Sequence, residues 1–168
     1  MRNPFIRLVV RLAAAAVAAF AFYRYAWMPW HVNHLLKSLQ VRTQTAMDTG
    51  GDRAIFAARD NIAQLQTITN VCRLSVDYHL IFAANDRMVG LNDEAIEQYT
   101  AALAADHRPE IYFDRGVTYL EEGKLEPATA DIALAARFNP GFIDNVDFGM
   151  RERVAAVNKA VPYNPPPR

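Results

Sequence analysis

The chain has 168 residues, 52% of them hydrophobic, and its 18 Lys and Arg balance 18 Asp and Glu. Four of the basic residues (Arg2, Arg7, Arg11 and Arg24) fall in the first thirty positions with no acid among them, which leaves 14 basic against 18 acidic residues in the remainder. A mildly acidic body lacks the clustered Lys and Arg that phosphate backbones require, so nucleic acid is excluded as an expected partner; the single cysteine, Cys72, excludes an intrachain disulfide and a cysteine-based zinc site.

Residues 8–30 read LVVRLAAAAVAAFAFYRYAWMPW, apolar except for Arg11 and Arg24 near the two ends. These 23 residues, at ~1.5 Å each, reach about 34 Å as a helix, enough for a hydrocarbon layer of about 30 Å. An arginine near an end lays its stem in lipid and sends the guanidinium to the headgroups. Tyr23, Tyr25, Trp27 and Trp30 cluster at the second boundary as an aromatic belt, and Pro29 is expected to stop the helix or bend its exit. The segment is therefore predicted as a single transmembrane helix over 8–30 behind a short cytoplasmic stub. A cleaved signal peptide, with Ala19, Phe20 and Ala21 as the small-x-small site, is the competing reading. Arg2, Arg7 and Arg11 before the span place the N-terminus in the cytoplasm and the body outside. In a Gram-negative bacterium that is an inner-membrane protein with a periplasmic domain.

Residues 31–70 read as a helical hairpin: a helix over 31–47, a break at Asp48, Thr49, Gly50 and Gly51, and a helix over 52–68. Its second helix carries Ala54, Ala58, Ile62 and Leu65 on one stripe. It is expected to be a degenerate repeat or an unrelated hairpin.

Residues 71–140 repeat themselves. A shift of 33 residues lays Ala83 on Gly116, Gly90 on Gly123, Ala95 on Ala128, Tyr99 on Ile132 and Ala102 on Ala135. This describes one pair of helices used twice. A small residue (Ala83, Gly116) lets the two helices approach, and a glycine (Gly90, Gly123) ends the first helix in a conformation closed to side chains. The remaining positions form a buried stripe on the second helix.

The second copy, Tyr112, Gly116, Tyr119, Gly123, Ala128, Ile132, Ala135 and Pro140, resembles the tetratricopeptide repeat in residue order and spacing. The first copy, residues 76–108, keeps the second helix but has His79 where a large aromatic residue is expected and Asp86 where tyrosine is. Its inter-repeat loop is one residue shorter than usual. The resemblance implies an all-α fold, a right-handed superhelix of about three hairpins behind the transmembrane helix. It also implies a protein-binding scaffold whose concave surface is lined by the first helix of each hairpin. Carried onto this chain, that surface holds Asp77, Leu80, Ala84, Arg87 and Met88 from one copy, and Glu110, Phe113, Val117, Leu120 and Glu121 from the other. Phe113, Leu120 and Met88 are the expected apolar anchors, with Arg87 and Glu110 fixing register; Val117 completes the candidate set. In so short an array these side chains have a second option, packing against the flanking helices.

Beyond the repeats, residues 141–161 are predicted as a capping helix, with Val154, Val157 and Val161 in step. Residues 162–168, PYNPPPR, form a Pro-rich tail that no helix can include. No phosphate loop, nucleophile elbow or dinucleotide fingerprint occurs. His31 and His34 share a helix face but have no acid nearby in sequence to complete a metal set. Asp93 and Glu94 suit a helix start, and Glu121 and Glu122 a solvated helix end. No catalytic residue, cofactor, metal or small-molecule substrate is expected. The partners expected are the membrane, through residues 8–30, and a protein. The role is that of an adapter or assembly factor, or else of a small accessory subunit of a membrane complex.

Overall fold

A computed structural model describes residues 4–160, which form helices and turns with no strand among them. They divide into two compact units, one ending at Leu39 and one beginning at Gln40.

In the first unit α1 (Pro4–Phe22) leads through one π-helical turn (Tyr23–Trp27) into α2 (Met28–Thr49). Pro29 does not stop the helix, contrary to one of the two outcomes expected of it. The chain stays helical from Leu8 to Thr49, 42 residues, long and apolar enough in its N-terminal part to cross a membrane. At the π turn the ladder slips by one residue, the Met28 N–H reaching the Tyr23 carbonyl. The slip falls just before Pro29 withholds its own N–H. Leu8, Val9, Val10, Leu12, Val17, Phe20 and Phe22 are exposed along α1. Beyond it, Tyr23 stacks on Trp27 at 5.3 Å and Trp27 on His31 at 5.0 Å, each pair four residues apart.

In the second unit α2 ends at Gly50 and Gly51, both at positive φ, where a Cβ would be strained. The next helix, α3 (Gly51–Cys72), buries Ala54, Ala58, Asn61, Leu65, Ile68 and Cys72. Asn61 rather than the expected Ile62 takes the central place on the stripe, and Ile62 is only half-buried. A polar contact explains the exchange. Asn61 donates to Asn85 Oδ1 at 3.0 Å and to Thr43 Oγ1 at 3.3 Å, and Asn85 donates to the same Thr43 hydroxyl at 2.8 Å. The three side chains are buried and pin α2, α3 and the following helix in one register.

The repeats follow as α4 (Val76–Met88), α5 (Asn92–Leu103), α6 (Pro109–Glu121) and α7 (Leu125–Phe138). The Ser75 hydroxyl caps α4 by accepting from the Tyr78 N–H, while Pro109 opens α6 at a position needing no donor. The shift of 33 reappears in the hydrogen bonds. Leu91 N–H reaches the Asp86 carbonyl and Gly90 N–H that of Arg87, as Lys124 N–H reaches Tyr119 and Gly123 N–H reaches Leu120. Both glycines have positive φ, +80° and +71°, so each first helix ends in the same left-handed turn. The first hairpin closes around Ala83, Ala95, Tyr99, Ala102 and Leu103, with Ile111 of α6 joining them. Arg115 holds the second together: it donates to both oxygens of Asp131 on α7, at 2.7 and 3.0 Å, and to Thr100 on α5 at 3.0 Å.

The expected cap over 141–161 is broken into two pieces, a 3-10 turn (Pro140–Asn145) and α8 (Phe148–Ala160). Asp147 separates them and accepts from the Met150 N–H at the start of α8. Val146, Met150 and Val154 join Ala128, Ile132, Ala133 and Ala136 in the closing core, with Val157 against its edge. Val161 and the Pro-rich tail lie outside the described residues.

Candidate protein-docking groove

The second unit has a groove of about 560 Å³, lined from four helices. One wall is the end of α2, with Gln40, Thr43, Gln44 and Met47; the floor is α4, with Leu80, Ile81, Ala84, Arg87 and Met88. Tyr99 of α5, itself buried, and Asp114 and Glu121 of α6 complete the lining. The spacing of Leu80, Ala84, Arg87 and Met88 sets one half-buried stripe of α4 along the groove, beside the face on which Ala83 meets α5, and Leu80 also packs against that core.

Of the six candidate residues, Arg87 and Met88 line this groove. Phe113 and Leu120 pack against the closing core instead, Phe113 stacking on Phe142 with ring centroids 4.7 Å apart. Glu110 is exposed and Val117 half-buried, and neither lines the groove. The face of α6 that lines it carries Asp114 and Glu121, each one position beyond Phe113 and Leu120, a rotation of about 100°. Ile81, Tyr99, Asp114 and the α2 wall are thus the parts the sequence reading missed. Asp114 was within reach of helical spacing, four residues after Glu110 and seven before Glu121. No pattern in the repeat pointed to α2, which lies outside it.

The charges of the groove are unevenly matched. Arg87 forks onto Glu121, Nε to Oε2 at 2.9 Å and Nη2 to Oε1 at 2.6 Å. Those bonds hold the guanidinium charged and raise its pKa. Asp114, half-buried, has no such partner among the described side chains. Burial pushes its carboxyl above the usual range, Arg87 opposes the shift and Glu110 adds to it. Burial also raises the Tyr99 phenol, with the Asp114 charge adding to the shift and Arg87 opposing it. Behind the groove Asp86 is 2% exposed, and burial together with Glu94 raises its pKa to about 7.

None of these groups makes a nucleophile-and-base pair. Among the described residues no three His, Cys, Asp or Glu side chains gather as a metal set. What the groove offers is an apolar floor with a charged wall, the chemistry of surface recognition.

No family model matches the chain, and no curated protein matches it. A solved structure titled "Crystal structure of MamA" is similar over 74% of this chain and 74% of its own, at 20% identity and a TM-score of 0.57. Likeness at that level concerns the backbone path, and together with the repeated hydrogen bonds it supports a tetratricopeptide-like helical repeat as the fold of this chain.

Proposed function

We propose that the chain is a membrane-anchored scaffold that holds a protein partner in the groove between α2, α4 and α6. The observation that carries this reading is the groove's composition. Leu80, Ala84 and Met88, each half-buried, line the groove with an apolar strip beside the charged Arg87, Glu121 and Asp114. A helical-repeat fold supports the same reading, since such folds present extended concave binding surfaces. In this proposal residues 8–30 span the inner membrane, the N-terminus is cytoplasmic and the repeat domain is periplasmic, as adapter or assembly factor. The exposed apolar side chains along α1 support the anchor. Exposed alanines over 13–19 favour a second reading, an accessory subunit whose helix packs closely against other subunits in lipid.

The experiment is affinity purification of the full chain from solubilised membranes, beside Leu80→Asp and Met88→Asp. Loss of a defined partner from both variants, with helicity kept, supports the groove. An unchanged set of partners moves the interaction surface elsewhere.

A further inference from the structure

One carboxyl in the groove has no cation bonded to it, Arg87 acting on it only from a distance. Arg87 is spoken for by both oxygens of Glu121, whereas the Asp114 carboxylate faces the groove without a bonded cation. Glu110 adds negative potential on its own helix, and Tyr99 and Arg87 are the groups facing it from α5 and α4. The floor in front is apolar and the α2 wall offers the amides of Gln40 and Gln44. A half-buried carboxylate beside apolar surface is costly when left alone and is relieved by a cation whose stem lies along the floor.

Resting on the groove as the docking site, we infer that Asp114 receives a lysine or arginine side chain of the partner, presented between apolar residues of an extended segment. The groove thereby selects partner segments by positive charge.

The test uses the full chain in nanodiscs of zwitterionic lipid, with empty nanodiscs as the control. The probes are fluorescent decapeptides of alternating Leu and Ser, identical except for a central Lys, Arg, norleucine or Glu. Lys and Arg peptides are expected to bind about ten-fold tighter than the norleucine peptide, with Glu weakest, as one desolvated ion pair supplies. Asp114→Asn should erase that preference, and Asp114→Lys should reverse it in favour of Glu, each with helicity unchanged. Equal binding of Lys and norleucine peptides overturns the cation site and leaves the groove standing. No binding by any peptide overturns both. If Asp114→Asn changes the oligomeric state, a second copy of the chain is the occupant; if removing residues 162–168 strengthens every peptide equally, the tail is. Either outcome overturns the proposal.

Discussion

At Gly116 a single added methyl would find no room. A Cβ built there comes within 2.8 Å of Ile132 Cγ1 and 3.2 Å of the Ile132 backbone nitrogen, so α6 and α7 touch through a glycine. Gly116→Ala is expected to destabilise by about 1–3 kcal/mol through overpacking, read from a shifted urea midpoint at constant slope. Glu126→Gln, exposed on α7, should stay within about 0.5 kcal/mol. This close approach was legible in the sequence, because Gly116 and Ala83 occupy matching positions 33 residues apart. Asp86 shows the other case. Its departure from the tyrosine position was readable, but its surroundings depend on packing that brings Glu94 near across the hairpin. Between pH 4 and pH 7 the folded chain keeps a proton on Asp86 that the unfolded chain releases, since burial raises the carboxyl to about 7. Its contribution to stability is therefore greatest below pH 4 and is lost as pH rises through 7. Asp86→Asn should exceed the wild type by about 1–3 kcal/mol at pH 8, a margin that shrinks toward pH 4. A margin independent of pH would mean that the side chain is not titrating in the fold.

The two faces of α6 do different work at the scale of the element. Phe113 and Leu120 look inward to the closing core, and Asp114 and Glu121 outward to the groove. Replacing both Phe113 and Leu120 with Asp is thus expected to unfold the C-terminal hairpin rather than to release a partner. Circular dichroism should show helix lost, with a destabilisation of about 3 kcal/mol or more; retained helicity would return these residues to the binding surface. The amphipathic pattern of α6 was legible. Its orientation to within one residue was not, because it is set by Phe142, 29 positions from Phe113, through a contact no local spacing records. The buried Thr43, Asn61 and Asn85 set was likewise hidden, as each residue taken alone resembles an ordinary surface polar residue. Asn85→Leu removes the acceptor of the shorter Asn61 bond, leaving only the 3.3 Å bond to Thr43, and should cost about 1–3 kcal/mol.

For the whole molecule, the anchor and the repeats make separate expectations. A reporter fused at Arg168 should behave as exported, since Arg2, Arg7 and Arg11 precede the apolar run; a cytoplasmic signal would reverse the proposed topology and leave the fold untouched. In the repeats, the matched left-handed turns at Gly90 and Gly123 close on carbonyls in equivalent places. Each hairpin therefore hands the chain on in the attitude in which it received it, and length in this domain is quantised. A duplicate of residues 76–108 inserted after Arg108 supplies one whole step of 33 residues, and everything beyond it meets its neighbours with the same faces. The lengthened chain should melt at or above the temperature of the original. An extra residue inside a helix instead, after Pro127 in α7, turns the rest of that helix by about 100° and brings Asp131 where Ile132 belongs. Such a domain can gain or lose surface by whole hairpins.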